Sequence, residues 1–280
     1  MDIKFHCNQN SNFINDNQMV RAFLYSDYSI EPHNHDFYEM NIIFGGSGIH
    51  CIGKESFIVK YGDVFIIPPG TVHAYYDTKN LDVYHILFKK EYIILNKDEA
   101  MTVPGFLQLM EVEPFLRQNF SGGMYLNLSK SQLLQLKQDI FFIDDANFIG
   151  ENFYPLKNHT LWKILYLMSD MFCTQTKSKK TTKYGYHESQ IMETLEYIHQ
   201  NYGEKITVQK LCELSHLSRS TFLRAFSEVC NCTPMSYLSD YRCKKAVEML
   251  SEGRFSKTET AHKCGFYDLS HMEKNLDKRK

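Results

Sequence analysis

The sequence predicts an α+β chain with two unlike parts. The first is an N-terminal antiparallel β-barrel or jelly roll that carries helices, and the second is an all-α C-terminal part with two helix-turn-helix units. Two observations predict this division. Short apolar runs bounded by turn residues follow one another closely up to residue 88, as in antiparallel β structure. Beyond residue 186, apolar residues instead recur at spacings of three and four, as on the buried face of a helix.

The boundaries of these parts follow from breaks in the pattern. We expect the barrel over residues 1–120, a helical segment over 121–176, a linker over 177–186 and the all-α part over 187–280. The linker prediction rests on a polar, lysine-rich stretch without periodicity. A length of 280 residues suits two domains with cores of their own.

Composition narrows the class of protein. Hydrophobic residues make up 43% of the chain, and no apolar run reaches 18 residues, so we expect no membrane span and no membrane partner. The first residues lack the basic and apolar segments of a signal peptide, which predicts a cytoplasmic protein. The eight cysteines show no zinc-finger spacing, and free thiols in a reducing compartment are the simpler interpretation.

Charge differs between the two parts. Residues 181–280 contain 15 Lys and Arg against 13 Asp and Glu, whereas residues 1–176 contain 13 against 20. A mildly basic C-terminal part beside an acidic N-terminal part fits a nucleic-acid binder joined to a domain with another task. Because the positive excess is small, non-specific DNA binding should be weak and should fall steeply with salt.

The predicted strands follow one another between residues 19 and 88. Turn signals such as Gly45-Gly46 and Pro68-Pro69-Gly70 separate them. The apolar runs that we interpret as strands cover residues 19–25, 40–44, 50–52, 56–59, 64–67 and 83–88. Many short strands at this spacing favour an antiparallel barrel or jelly roll.

Imidazole and carboxylate side chains form a predicted cluster in this barrel. His33, His35 and Glu39 have odd numbers, so on a strand they would share one face. The strings H-x-H-x-x-x-E from His33 and P-x-G-x-x-H ending at His73 resemble the two motifs of cupins. In metal-binding cupins the matching positions ligate the metal. The resemblance therefore implies His33, His35, Glu39 and His73 as ligands of a divalent metal such as Fe, Mn, Ni or Zn.

A simpler alternative exists for the same residues, because buried histidine and glutamate can satisfy one another by hydrogen bonding. The cupin pattern also departs at its ends, where Asp27 replaces the usual Gly and Asp77 the usual Asn. We therefore expect no firmly bound cofactor, and a divalent metal in the barrel remains open.

Tyrosines near the same rim suggest a pocket for a small effector molecule. Aromatic faces with a few polar groups suit a sugar or a similar polar molecule. The candidate effector-binding residues are His33, His35, Tyr38, Glu39, His73, Tyr75 and Tyr84. The alternative is that most of these tyrosines only pack the barrel.

Two helices are predicted after the barrel. Leu133, Leu136 and Ile140 recur at helical spacing after a helix entry at Ser129, and a second apolar stripe runs through residues 161–172. These helices would pack on the barrel or on a second copy of the chain.

The first helix-turn-helix unit is predicted over about 207–228. A short break at 215–217 precedes Ser218, whose side chain suits a helix N-cap. Phe222 and Phe226 give the following helix an apolar back, and its front is small, polar and cationic. A helix of this kind can lie in the DNA major groove. The alternative is an ordinary helical hairpin with a solvated face.

A second unit, over about 257–278, repeats the first. It breaks at Gly265, and its second helix starts near Asp268. Between the units, residues 234–250 read as one helix with Pro234 at its start, where a missing amide proton costs nothing. At about 1.5 Å per residue this helix would span roughly 25 Å, a suitable spacer for recognition helices one DNA turn, about 34 Å, apart.

This double motif resembles the AraC family of bacterial transcription regulators. The resemblance covers about residues 190–274. It rests on the spacing of the units, on Tyr237, Arg242, Ala246 and Leu250, and on the string G-F-x-D-x-S from Gly265. It implies a cupin-like sensor domain and a double helix-turn-helix DNA-binding domain. It also implies dimerisation through the segment 121–176 and a barrel that commonly serves as an effector pocket without a metal.

Three features depart from the family pattern. Cys232 stands where the family usually has Gly, and Leu276 where it usually has Phe. The chain also stops at Lys280, before the usual closing short helix. They raise the alternative of a truncated regulator that is defective in DNA binding.

The DNA contacts are expected on the second helix of each unit. In the first unit the candidates are Arg219, Ser220, Thr221, Leu223 and Arg224. In the second unit they are Leu269, Ser270, His271 and Lys274. Arg224 suits a base edge or a phosphate. Because Glu273 is unfavourable near phosphates, we expect the first unit to dominate specificity and the second to add affinity.

These features predict a cytoplasmic, homodimeric transcription regulator that binds double-stranded DNA. A small-molecule effector in the barrel would change promoter occupancy or contact with RNA polymerase. No P-loop or dinucleotide fingerprint appears, and we expect no catalytic residues. The alternative from another class is a metal-dependent cupin enzyme with a helical appendage, which metal and turnover would favour.

Overall fold

The computed structural model describes residues 2–13, 17–53, 55–95, 97–120, 125–178 and 187–278. The chain divides into two compact units, Met1–Ser178, here called the barrel domain, and Lys179–Lys280, the helical domain. Of the predicted linker 177–186, the first two residues end a helix and the rest lie outside the described residues.

The barrel domain is built on eight described strands. They are β1 (Phe5–Cys7), β2 (Val20–Tyr25), β3 (Ile30–His35), β4 (Tyr38–Ile52), β5 (Glu55–Val59), β6 (Asp63–Ile67), β7 (His73–Phe88) and β8 (Leu126–Asn127). Their order is β1-β3-β7-β4-β6-β8, with β2 also paired to β7 and β5 to β4. Every pair is antiparallel except β1 with β3.

Two long strands bend to make two facing sheets. β4 and β7 pair from Tyr38 opposite Phe88 to Ile52 opposite His73. β6 and β5 flank the two halves of β4, and β2 and β3 flank the two halves of β7. Apolar residues from both halves form one core, as in a jelly roll. They are Ile43, Ile52, Val59, Phe65, Ile67, Tyr75, Leu81 and Val83.

The bend in β4 corrects one expectation. The glycines at 45–48 predicted a turn between two strands, but the strand continues through them with register shifts. Gly46 has a φ of +72°, and a Cβ there would lie 2.0 Å from the Asn80 carbonyl oxygen, so the position requires glycine. The bend changes the alternation of side chains: odd-numbered Ile43 faces the core before it, and even-numbered Ile52 after it.

Helices cover the strands and follow them. They are α1 (Gln9–Asn12), α2 (Lys90–Leu95), α3 (Lys97–Ala100), α4 (Glu113–Asn119), α5 (Lys130–Ile143) and α6 (Tyr154–Ser178). A π-helical stretch, Gln108–Val112, leads into α4. Ser129 caps α5 as predicted, because its side chain accepts a hydrogen bond from the Gln132 amide. The predicted apolar stripes of α5 and α6 are buried.

A buried arginine of α4 forms an ion pair within the helix and a hydrogen bond to β6. Arg117 is fully buried, and its Nε donates to Glu113 Oε1 at 2.8 Å. Its Nη2 donates to the Ile66 carbonyl at 2.6 Å. Removing one partner would leave a buried charge uncompensated, at a cost of roughly 3–5 kcal/mol.

The helical domain contains six described helices. They are α7 (Glu188–Asn201), α8 (Val208–Ser215), α9 (Arg219–Cys230), α10 (Pro234–Glu252), α11 (Lys257–Lys263) and α12 (Leu269–Asp277). α10 carries Pro234 in its first turn as predicted, and its 19 residues span roughly 28 Å at about 1.5 Å each. Within the described ranges, no helix is both long and apolar enough to cross a membrane.

The turns of the two helix-turn-helix units are formed by different residues. Between α8 and α9, His216 adopts a left-handed conformation, and Ser218 caps α9 by accepting from the Thr221 amide. Between α11 and α12 the left-handed residue is Gly265, and Asp268 caps α12. The predicted cap at Ser218 is therefore present, and the second helix starts next to Asp268 as expected.

The residues around Cys232 and Leu276 accommodate these two departures from the family pattern. Asn231 supplies the left-handed residue that ends α9, so the neighbouring Cys232 does not have to be glycine. Leu276 packs on a core that includes Phe266 and the fully buried Met272. The second unit therefore has a hydrophobic core of its own.

Candidate functional site

The four side chains predicted from the cupin-like strings meet between the two sheets. His33 and His35 lie on β3, Glu39 on β4 and His73 on β7, and each is at most 4% exposed. Ligand atoms of His33, Glu39 and His73 all lie within 4.8 Å of one another. The strand expectation needs one correction, because Glu39 follows a turn and does not share a strand with His33 and His35.

Glu39 lies at the centre of this histidine cluster. His35 Nε2 is 3.1 Å and His73 Nε2 is 3.6 Å from the same carboxylate oxygen, Oε2. His85 Nδ1 donates to the other oxygen, Oε1, at 2.8 Å. The Nε2 atoms of His35 and His73 are buried and make no hydrogen bond to any described residue. Two ring nitrogens thus converge on one carboxylate oxygen without a hydrogen bond.

The backbone determines which nitrogen of two rings carries the proton. His33 Nδ1 lies 3.0 Å from the Glu31 carbonyl, and His35 Nδ1 lies 2.7 Å from the Phe37 carbonyl. A carbonyl oxygen only accepts, so Nδ1 is the donor in both rings. In the neutral tautomer each Nε2 therefore presents a lone pair, as a metal ligand does.

Sequence analysis missed two members of the cluster, His50 and His85. His50 Nε2 lies 3.5 Å from His73 Nδ1, and the His50 ring stacks on Tyr75 with centroids 3.9 Å apart. His85 contacts Glu39 from the other half of β7. His85 lies opposite Asn41, two residues from Glu39 on β4, so only the strand register could have revealed this contact.

Electrostatics favour a charged carboxylate at Glu39 and a neutral ring at three of the histidines. Burial raises the pKa of Glu39, but its close contacts with His35, His73 and His85 outweigh burial and hold that pKa well below its usual range. Burial lowers the pKa of His33, His50 and His73. These rings are therefore neutral near pH 7, the state in which imidazole binds metals.

The three predicted tyrosines are not all at the cluster. Tyr75 is fully buried there, and its hydroxyl accepts a hydrogen bond from Asn41 Nδ2 at 3.3 Å. Tyr38, next to Glu39 on the strand, points to the opposite face and stacks on Phe88. Tyr84 also faces outward, where its hydroxyl bonds to the end of α5. Tyr38 and Tyr84 therefore lie on the opposite strand face from the histidine cluster, because alternate residues of a strand face opposite sides.

The exposed front of α9 carries most of its predicted DNA contacts. Arg219, Ser220 and Arg224 are exposed, while Thr221 and Leu223 are half-buried. The Thr221 hydroxyl lies 2.9 Å from that of the N-cap Ser218. Both arginines are therefore exposed and available to a partner.

The exposed face of α12 carries three of its four predicted DNA contacts. Ser270, His271 and Lys274 are exposed, but Leu269 is half-buried and packs on the core of the second unit. Leu269 therefore belongs to the back of the helix, against our expectation. Sequence analysis missed Tyr267, which is 85% exposed in the turn before α12.

Two family models match this chain. Residues 20–121 match the AraC-like ligand binding domain, and residues 211–280 match a helix-turn-helix domain. Together the matches cover more than half of the chain.

The chain is similar to curated transcription activators. It is 25% identical over 240 residues to the HTH-type transcriptional activator RhaS of Escherichia coli O81 (strain ED1a), covering 86% of this chain and 81% of that protein. The RhaS of Citrobacter koseri is 24% identical over the same shares.

Two solved structures align with the chain. ToxT from Vibrio cholerae O395 aligns with a TM-score of 0.37 and 12% identity, over 92% of this chain and 93% of that one. The DNA-binding domain of AdpA in complex with a target DNA aligns with a TM-score of 0.31 and 24% identity, over 32% of this chain and 80% of that one.

The β-rich domain, the double helix-turn-helix, the two family models and the curated relatives define a DNA-binding transcription regulator with a ligand-binding domain. The chain belongs to the AraC family of transcription regulators. Its relatives are regulators and not enzymes, so the alternative of a metal-dependent cupin enzyme is wrong.

Proposed function

We propose that the barrel domain senses a small polar effector, with a sugar as one candidate, and that the helical domain binds operator DNA in response. The observation that carries the proposal is the histidine cluster around Glu39 between the two sheets. Buried polar atoms without partners cost free energy unless a ligand or ion satisfies them. His33, His35, Glu39, His73 and Tyr75 are the residues that we assign to the effector.

A divalent metal would fit the same cluster. His33, His35, Glu39 and His73 would hold it, and His85 would orient the carboxylate. A bound ion would supply a Lewis-acidic position for an oxygen atom of the effector. The support is the convergence of the His35 and His73 Nε2 atoms on one oxygen of the Glu39 carboxylate.

Metal binding is tested by thermal melting. After treatment with chelator, adding Zn²⁺ or Mn²⁺ at about 100 times its Kd should stabilise the protein by about 2.7 kcal/mol. His73→Ala should abolish this stabilisation, and His262→Ala, an exposed histidine of the helical domain, should not change it. Equal stabilisation of His73→Ala and wild type would rule out the cluster as the metal site.

The cluster also predicts a pH dependence. His33, His50 and His73 have lowered pKa values in the folded state but take up protons near pH 6.5 when unfolded. The unfolded state therefore binds more protons below about pH 6.5, and stability should fall there. Glu39, with its lowered pKa, adds stability above about pH 4.3 that is lost as the pH falls further. In urea unfolding followed by Trp162 fluorescence, the urea concentration at the midpoint should fall from pH 7.5 to pH 5.5 and should change little above pH 7.5.

We assign DNA contact chiefly to α9, through Arg219, Ser220, Thr221 and Arg224. The half-buried Leu223 is placed beside them for a thymine methyl group. From α12 we retain Ser270, His271 and Lys274, and we add Tyr267 as a phosphate contact. The support is the apolar back of each helix together with the exposure of Arg219, Ser220, Arg224, Ser270, His271 and Lys274, and of Tyr267 in the turn before α12.

We propose a homodimer through α5. Leu134 and Phe141 are seven residues apart on one face of α5 and are 69% and 57% exposed. Ile149, shortly after the helix, is 80% exposed. A second copy of the chain would cover this apolar surface.

The description of the curated relatives as activators supports RNA polymerase as a further partner. The eight free cysteines support a reducing cytoplasm.

The proposed function is tested by DNA binding. The full chain is titrated onto fragments from its own genomic neighbourhood by fluorescence anisotropy, across a salt series and with and without chelator. Tight, sequence-selective and salt-sensitive binding is the expected result. Normal dimers with no salt-sensitive binding to any fragment would instead support a regulator defective in DNA binding.

A further inference from the structure

A cleft separate from the histidine cluster opens in the barrel domain. It has a volume of about 860 Å³ and lies between α6 on one side and α2, α3 and the start of β2 on the other. Small-molecule sites commonly have volumes of about 300 to 1,000 Å³. No member of the histidine cluster is among the described residues that line it.

One side of α6 forms an aromatic wall. Tyr154, Asn158, Trp162 and Tyr166 follow at intervals of four residues, so they lie along one side of the helix. The Trp162 ring lies 5.3 Å from that of Tyr92 on α2 and 5.5 Å from that of Tyr166. The Tyr92 hydroxyl donates to the Asn158 carbonyl, which joins the two sides of the cleft.

Two acidic residues line the cleft. Glu99 and Glu151 line it, and no Lys or Arg stands among the described lining residues. Burial and then the charge of Glu151 raise the pKa of Tyr154, and burial and then Glu99 raise that of Tyr166. Each carboxylate therefore acts on an aromatic ring of the wall. Aromatic faces attract cations, and neighbouring carboxylates strengthen that attraction.

Polar atoms of the wall are suited to a ligand with hydrogen-bonding groups. Trp162 Nε1 and Asn158 Oδ1 are buried and have no hydrogen-bond partner in the part of the chain that the structure describes. His159 Nδ1 lies 2.6 Å from a backbone carbonyl and donates to it, so in the neutral ring Nε2 is an acceptor. A ligand group or a bridging water would satisfy the first two atoms.

We propose that this cleft is a second ligand site, for a small organic cation that carries a hydroxyl or another hydrogen-bonding group. The aromatic wall and the two carboxylates select the cation, and the polar atoms orient it. An anionic ligand would meet two like charges, and a fully apolar ligand would leave Trp162 Nε1 and Asn158 Oδ1 unpaired. The proposal does not depend on an effector in the histidine cluster.

The test uses the full chain and a matched pair of probes. Choline is an organic cation with a hydroxyl, and 3,3-dimethyl-1-butanol is its neutral isostere. Trp162 is the only tryptophan of the chain, so its fluorescence reports on this cleft alone. A saturable change with choline and none with the neutral alcohol is the expected result, checked by calorimetry. No saturable response to choline, or equal affinity for both probes, would overturn the proposal.

A charge-matched pair of double variants checks the place of binding. Glu99→Gln with Glu151→Gln should weaken choline binding about five- to tenfold, because two exposed carboxylates are lost. Glu193→Gln with Glu204→Gln removes the same charge from exposed positions of the helical domain and should leave affinity unchanged. Thermal melting confirms that both double variants fold. If the variant with Glu99→Gln and Glu151→Gln does not fold, Tyr166→Leu takes its place. Equal loss in both pairs would mean a general charge effect and would overturn the assignment of the cleft.

Discussion

The two helix-turn-helix units share the same arrangement of two helices and a turn, but the exposed faces of their second helices, α9 and α12, carry different residues. In the first, α9 has 12 residues and exposes Arg219 and Arg224. In the second, α12 has nine residues, and Glu273 stands beside Lys274 on its exposed side. Packing constrains the backs of both helices, whereas their fronts are free to differ. The comparison teaches that a repeated fold need not repeat its contacts, and it supports specificity in the first unit and affinity in the second.

The largest effect is expected in the backs of the helices. Phe226→Ala should destabilise the helical domain by about 3–5 kcal/mol, because a fully buried ring leaves a cavity. Met272→Ala should cost about 2–5 kcal/mol in the second unit. Hydrogen exchange with mass spectrometry should show lost protection first in the unit that carries the substitution. Equal loss in both units would show that they unfold as one body.

The substitution Arg224→Ala tests directly whether the exposed face of α9 reads the DNA sequence. It should cost about 1–3 kcal/mol of DNA binding and relax specificity at one base pair, whereas Lys274→Ala should weaken all sequences alike. Competition binding on a library of operator variants separates these outcomes. If Arg224→Ala weakens every sequence equally, Arg224 contacts only phosphate, and the proposed division of roles loses its main support.

The two N-caps allow a smaller comparison. Ser218→Ala and Asp268→Ala each remove a side chain that accepts from the first turn, at a cost of about 1 kcal/mol. The loss at Asp268 should affect DNA binding more, because α12 is the shorter helix. The measurement is thermal melting together with DNA titration, with Ser256→Ala at the start of α11 as the control cap. A greater effect on DNA binding at Ser218 would reverse this expectation.

The smallest effect is expected at Glu273. Its carboxylate lies 3.6 Å from Lys257 Nζ on the surface, so Glu273→Gln should change stability by less than about 1 kcal/mol. It should raise non-specific DNA affinity slightly, because a repulsive charge near phosphates is removed. Glu193→Gln is the matched control, and binding at two salt concentrations measures the difference. An unchanged affinity would place Glu273 away from the DNA.

The sequence predicted local features well and long-range ones less well. Ser218, Pro234 and Asp268 act within one or two turns of their own helix, and their roles could be predicted from neighbouring residues. Membership of His50 and His85 in the histidine cluster depends on the register between β4 and β7, which no local pattern encodes.

Residues that face two environments were the hardest to assign. Tyr38 and Tyr84 lie close in sequence to core residues, yet alternation turns them outward. Leu269 begins α12, but it packs inward on the core cluster that contains Phe266 and Met272. In each case the choice of face depends on packing partners that are distant in the sequence.

The bend at Gly46 makes the barrel domain sensitive to changes in chain length at that point. Deleting one residue there would shift the phase of the remaining strand, so that Ile49 and Cys51 would replace His50 and Ile52 between the sheets. The stacking of His50 on Tyr75 and the His50–His73 contact would be lost together. Insertions and deletions in this strand are therefore expected to be far less tolerated than substitutions, and relatives that keep the histidine cluster should keep the spacing between Glu39 and His50.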